Sequence, residues 1–585
     1  MREHSERRSP AADFAGTGSR ASYVPDGLDA SSIGALRPLL EELRDRSITT
    51  VGEAEEWLLD RSALFSAAHE ARGELFIATT CRTDDERVQT AWRVYLDETA
   101  PELRTRSFEL DRKLEELFGS FDLDASRYEV LKRSTSSDVR LFREENVSIV
   151  TALSKLDNDY DQLCGAMTVM FQGEERTLPQ MGAYLQNTDR GVRESAWRAV
   201  ADRRLADHEP IDAIFDQMVS KRHEMAQNAG FERFTEFNFE SRHRFDYGVA
   251  ESEAFHDAVE QVLVPFTSGL TKRRTNNLGL DTVRPWDLAV DEFGRPPLKP
   301  FKSGQDLIDR TRRVFDRLDP GLGELFSSLG DDMGGQFDLE SRRGKASGGY
   351  QYMRDRSGTP FIFMNAAGLH RDVETMVHEA GHAFHSLLCW KDPLLEYRHA
   401  PIEFCEVASM VMELLTMPFW DEYYADPAEA DRARRQQLEG TLSLFPWVAT
   451  IDAFQHWVYA NPSHTAEERR GAWHRIFTRF SPDVDWAGLE DAHAYQWQRQ
   501  GHLFGSPFYY IEYGIAQLGA LSLWLISLEE GPARALELYK HSLAIGGARP
   551  LPELFEAAGV PFDFSASRMA TLREAVEREL AKLPE

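Results

Sequence analysis

The run His378-Glu379-Ala380-Gly381-His382 sets two imidazoles and a carboxylate at a spacing that suits a metal ion. The stretch around it, from Asp372 to His385, has helical character. On a helix, His378 and His382 share a face. Two imidazoles so placed bind one zinc ion at the usual Zn–N distance of about 2.0–2.1 Å. Glu379 points about 100° further round, where it reaches a metal-bound water without ligating the metal. That is the layout of metal-assisted hydrolysis with a carboxylate as general base. With 17 histidines in 585 residues, H-E-x-x-H arises by chance about 0.05 times in such a chain. The alternative is a pair of solvent-facing histidines.

Catalytic zinc keeps three protein ligands and one open position. Downstream, Pro401 to Glu413 carries Glu403, Glu406 and Glu413 on roughly one face of a helix. Spacing alone does not choose among them. A third patch, Gly501 to Gly514, packs His502, Tyr509, Tyr510 and Tyr513 into a mostly apolar segment. Hydrolysis of an amide develops an oxyanion, and His or Tyr donors that meet it lower the barrier by a few kcal/mol each. Ordinary aromatic core is the competing reading, and Tyr509 is assigned to it, with its hydroxyl satisfied by backbone.

These residues need rigid elements beneath them, and helical periodicity dominates the chain. Val51, Ala54, Trp57, Leu58, Leu64 and Phe65 recur at helical intervals. Residues 86–118 read as one long charged helix, and 125–160 continue the pattern. The run from Ala166 through Leu178 reads as a short hairpin, with helix returning through about Asn228. Residues 275–304 are turn-rich. Residues 341–368 are non-helical, with a Gly-rich loop followed by a short buried or edge strand at Phe361–Met364. Helix resumes at about Arg371 and runs to the end. No internal repeat is visible.

The chain is too long for one ordinary core. Hydrophobic residues make up 42% and charged residues 28%, the balance of a globular protein. The formal charge of −30 argues against nucleic acid and anionic membranes as partners. Cys81, Cys164, Cys389 and Cys405 lie far apart, which fits free thiols in a reducing compartment. The N-terminus is basic and polar, with no apolar core of signal-peptide length. Residues 1–22 are expected to be a disordered tail, and the cytoplasm is the expected location.

Together, HEAGHAFH, CEVASMVME and HLFGSPFYYIEYGIAQLGA resemble the oligoendopeptidase F and Pz-peptidase branch of the thimet-oligopeptidase-like metallopeptidases. The resemblance is specific over about residues 340–525. It implies a mainly α, two-lobed zincin-type fold with a deep central channel and a small β element beside the metal helix. The corresponding division is a helical N-terminal region, 23–205, and a catalytic domain, 206–585. The family pattern E-x-x-S-x-x-x-E implies Glu406 as third ligand, with Ser409 and Glu413 completing the match and Glu413 either supporting the ligands from behind or filling the packing, not a ligand itself. One zinc per chain on His378, His382 and Glu406 is implied, with Glu379 as base and His385 no ligand. His502 and Tyr513 match residues that stabilise the transition state. Tyr510 matches a further site tyrosine, and Gly348 and Gly349 lie on the family's approach to the metal helix as substrate-binding positions.

The implied activity is hydrolysis of internal bonds in short oligopeptides, by a monomer or small homo-oligomer. The Phe361–Asn365 strand is expected to pair with an extended substrate by strand addition. A zinc carboxypeptidase on a related helical fold is the close alternative. It needs a cationic pocket for the substrate carboxylate, with Arg342, Arg343 and Lys345 as candidates. A non-catalytic peptide-binding scaffold would lack a ligand, the base or a donor, and all of these are present.

Overall fold

A computed structural model of the chain describes residues 22–330 and 335–584. The tail expected over 1–22 lies, but for Ser22, outside them. Among the described residues the architecture is mainly α-helical, with five short strands. In the N-terminal region the helix Val51–Cys81 starts at a Thr50–Glu53 capping box, in which each side chain satisfies an otherwise unpaired backbone N–H. Trp57, Leu64, Leu110 and Leu114 are buried together with Leu394 and Tyr397, so this region shares a core with the segment that follows the metal-binding motif.

Two expected long helices are interrupted. The charged helix is split into Glu86–Val94 and Ala100–Ser120 by one π-helical turn, Tyr95–Thr99. The next breaks between Leu141 and Glu144. The expected hairpin forms from β1 (Thr168–Phe171) and β2 (Glu174–Thr177). Its turn places Gln172 and Gly173 at positive φ, which suits the right-handed twist of the paired strands.

A second, three-stranded sheet lies against the helix that carries His378 and His382. It comprises β3 (Phe337–Glu340), β4 (Tyr350–Arg354) and β5 (Thr359–Ala366), in the order β3-β5-β4. β5 pairs with β3 in parallel and with β4 antiparallel. This corrects the strand-addition expectation. The Phe361–Asn365 run is the central strand, with both edges already hydrogen-bonded. Among the described residues the edges without a strand partner belong to β3 and β4, and β4 begins at Tyr350, directly after Gly348 and Gly349.

Three helices carry the chemistry-bearing residues: the histidine helix His370–Cys389, the glutamate helix Ile402–Leu415 and the tyrosine helix Tyr510–Glu529. Their apolar faces meet in the largest core. Val373, Val377, Ala380 and Phe384 pack with Phe404, Val407, Val411, Ile511 and Ile515, all buried. Each of the larger side chains contributes about 1.5–3 kcal/mol by leaving water. The tyrosine helix is long and apolar enough to cross a bilayer, but 72% of that window is buried inside the protein.

Candidate metal centre

The histidine helix starts where Asp372 turns back. Its Oδ2 accepts the backbone N–H groups of Ala367 and Leu369, both at 2.8 Å. Such a reciprocal cap fixes where the first helical turn lies, and therefore which face His378 and His382 present. Gly381 explains how the glutamate helix comes close enough. A Cβ there would stand 2.5 Å from the Ala408 carbonyl oxygen and 2.6 Å from Ser409 Cα. Only a glycine lets these backbones cross in contact.

The crossing brings three ligand atoms together. Glu406 Oε2 lies 3.2 Å from His378 Nε2 and 3.4 Å from His382 Nε2. The three form a group within 4.8 Å of one another. For Zn–N and Zn–O bonds of about 2.0–2.2 Å, the edge of a coordination tetrahedron is about 3.3–3.5 Å. The donor spacing and the donor set therefore fit one zinc ion. The charges point the same way. Burial works against the Glu406 carboxylate, yet His382 and His378 hold it well below the ordinary range. Burial also disfavours charge on His378, yet Glu406 and Glu413 raise it well above its usual value. The pocket stabilises positive charge at the point where these side chains converge.

The surrounding side chains hold the ligands in place. Glu413 Oε1 is 2.7 Å from His378 Nδ1 and is itself fixed by Gln437 Nε2 at 2.9 Å. Glu413 thus stands behind His378, and His378 Nε2 is left facing Glu406. Ser409 Oγ donates to Glu406 Oε2 at 3.0 Å. Tyr509 corrects the sequence reading. Its hydroxyl donates in a short hydrogen bond to Glu406 Oε1, rather than resting on backbone in the core. Its aim is set by Phe508, a non-glycine residue at φ +61°. Arg244 donates to the Phe508 carbonyl at 2.7 Å and Gln455 accepts its N–H at 2.6 Å. Left-handed backbone at a bulky residue costs about 1–3 kcal/mol and persists only where surrounding contacts enforce it.

Glu379 is buried, and its Oε2 has no hydrogen-bond partner. Burial raises its pKa. Gly349 stands beside it: a Cβ there would lie 3.4 Å from Glu379 Oε1. Asn365 Nδ2 ties the preceding turn by donating to Ala346 O at 2.8 Å and Gly348 O at 2.9 Å. Gly349 therefore stands beside Glu379, and Gly348 precedes it in the turn that Asn365 holds. His385 is buried, and burial lowers its pKa to about 3, so it is a neutral core residue outside the ligand group.

His502, Tyr510 and Tyr513 converge on the same place. Gln500 Nε2 donates to His502 Nδ1 at 2.8 Å, and His502 Nε2 lies 3.1 Å from the Tyr513 hydroxyl oxygen. Burial lowers the His502 pKa to about 4 and raises that of Tyr513 well above 10. Near neutral pH the imidazole is therefore uncharged and the phenol keeps its proton. Trp447 Nε1 donates to the Tyr510 hydroxyl at 3.2 Å, so Tyr510 braces the wall. Trp447 also lines a cavity of about 510 Å³ with Arg371 and Glu374, from the first turns of the histidine helix. Sequence reasoning missed Tyr509, Gln500 and Trp447, since nothing in their spacing shows what their polar atoms meet.

The proposed carboxylate pocket does not form from the expected cations. Arg342 and Lys345 both pair with Asp338, and Arg343 is exposed and lies near Glu175.

Comparisons with known proteins agree with this geometry. Residues 183–573 match the profile of peptidase family M3. An oligoendopeptidase F homolog of Borreliella burgdorferi is 21% identical over 497 residues, covering 82% of this chain and 77% of that protein. A solved candidate oligoendopeptidase F superposes with a TM-score of 0.89 at 28% identity, over 94% of this chain and 97% of the other. Inhibitor-bound PZ peptidase A gives 0.87 at 27% identity, over 97% and 99%.

Proposed function

The chain belongs to peptidase family M3 and is a metalloendopeptidase, and from that premise we propose that it uses one zinc ion, held by His378, His382 and Glu406, to hydrolyse internal bonds of short oligopeptides. The observation that carries this reading is the 3.2 and 3.4 Å convergence of the two imidazoles on Glu406, with the unpaired Glu379 Oε2 beside it. Zinc bound there would act as a Lewis acid toward the scissile carbonyl and lower the pKa of a water.

Glu379 accepts a proton from the attacking water at its unpartnered Oε2 and returns it to the leaving amine. Its raised pKa favours the first of these transfers. Gln500 donates to His502 Nδ1, so the His502 proton sits on Nε2 and is donated to the Tyr513 oxygen. The Tyr513 O–H is then free to point at the substrate, where it meets the developing oxyanion. Gly348 and Gly349 leave room for a substrate backbone to approach Glu379, and the unpaired edge of β4 offers it hydrogen bonds.

Glu379→Gln tests this assignment. The variant should keep zinc while turnover of a quenched fluorescent peptide falls by at least about 10²–10⁴-fold. Near-normal turnover in a clean preparation would remove Glu379 from the role. A peptide with an amidated C-terminus should still be cut at an internal bond, whereas a carboxypeptidase would spare it. The four cysteines are all free thiols, which supports the cytoplasm as the proposed location.

A further inference from the structure

A second set of ligand atoms lies away from this centre. His69 comes from the helix Val51–Cys81, Asp355 from the turn between β4 and β5, and His399 from the segment just before the glutamate helix. Their donor atoms lie within 4.8 Å of one another. His399 Nε2 stands 3.2 Å from Asp355 Oδ1, and His69 Nδ1 is in closer contact with Oδ2.

The Asp355 side chain is 0% exposed. Its carboxylate is partnered by the two histidines and by no arginine or lysine among the described residues. Arg398 and Trp390 donate instead to its backbone carbonyl, both at 3.0 Å. Oδ1 accepts no hydrogen bond. A buried carboxylate demands compensation, which the two imidazoles supply either as proton donors or as co-ligands of a cation.

The tautomer of His69 sharpens the demand. The Tyr352 hydroxyl donates to the His69 carbonyl at 3.2 Å, so its oxygen is left to accept from His69 Nε2 at 3.4 Å. His69 Nδ1 hydrogen-bonds Asp355 Oδ2; an ion here would take the place of that proton, with Nε2–H left to the Tyr352 oxygen. A metal-binding histidine is commonly oriented this way, with its other ring nitrogen donating to a neighbouring oxygen.

We propose that His69, Asp355 and His399 form a second divalent-cation site that pins the N-terminal helix to the β4–β5 turn. Two imidazoles and one carboxylate suit borderline ions such as zinc or cobalt, whereas calcium and magnesium favour oxygen ligands. The histidine side chains are 34% and 45% exposed, which leaves an entry path. An ion here would tie together the two elements that flank the first centre. β4 begins beside Gly349, and His399 leads into the helix that carries Glu406.

Zinc binding to the full chain, measured by equilibrium dialysis and elemental analysis, tests the proposal. Wild type should hold two ions per chain. His399→Ala should hold one and still hydrolyse peptide, and His378→Ala/His382→Ala should hold one and be inactive. Adding His399→Ala to that pair should leave none, and should abolish the zinc-induced rise in Tm seen without it. His399 is exposed enough that its loss spares the fold, which circular dichroism checks. Equal zinc content in wild type and His399→Ala, with none in His378→Ala/His382→Ala, would overturn the second site and leave the first intact. If His378→Ala/His382→Ala removed no zinc from wild type, the first site would fail instead.

Discussion

Tyr509 and Tyr513 stand close together, with ring centroids 5.2 Å apart, yet their hydroxyls do different work. Tyr509 spends its proton on the ligand Glu406. In the proposed mechanism Tyr513 receives a hydrogen bond from His502 and keeps its own proton for the substrate. Their phenylalanine variants should therefore fail differently. Tyr513→Phe is expected to lower kcat by about 10²–10³-fold with little change in KM, as loss of one oxyanion donor does; steady-state kinetics would show the split. Tyr509→Phe should weaken zinc affinity by about 10–100-fold, read by competition with a chromophoric chelator. At this scale the sequence was informative about residue type and silent about partner. Glu403, Glu406 and Glu413 were indistinguishable by spacing. In the structure Glu403 accepts from the Tyr247 hydroxyl at 2.7 Å, Glu413 stands behind His378, and Glu406 alone meets both imidazoles.

At the scale of elements, the histidine helix could be read from its periodicity because a helix repeats its own face. The small sheet could not be read as fully. The run Tyr350–Arg354 contains two tyrosines, a glutamine and an arginine, with no apolar alternation, and its strand identity comes from pairing with β5. The Phe361–Met364 run reads as a buried or an edge strand, and it is buried. Its place at the centre of the sheet depends on β3 and β4 arriving on either side, which is a long-range fact. The helix crossing at Gly381 is the element-level feature on which the centre depends most. Gly381→Ala would put a Cβ 2.5 Å from a backbone carbonyl, so the glutamate helix must move. The expected cost is about 1–3 kcal/mol of stability, seen as a lower Tm, together with weaker zinc binding because Glu406 moves with its helix. Unchanged zinc affinity would show that the crossing does not set the ligand geometry.

Across the whole molecule, the predominance of helix and the order of the motifs were legible because each is a local pattern. The joining of distant segments was not. His69 and Asp355 are 286 residues apart in sequence and meet only because the N-terminal helix packs on the β4–β5 turn. The zinc reading also has a consequence for the whole chain. Dialysis against a strong chelator should abolish peptide hydrolysis, and added zinc should restore it, as followed with a fluorogenic peptide. Hydrolysis that persisted in metal-free protein would mean that His378 and His382 serve some other chemistry. The most direct measurement is an anomalous difference map from crystals of the zinc-loaded protein, collected on both sides of the zinc absorption edge. A peak about 2.0–2.2 Å from His378 Nε2, His382 Nε2 and Glu406 is the expected result. Density at zinc-loading concentrations that left this point featureless, with the three side chains in place, would contradict the metal centre.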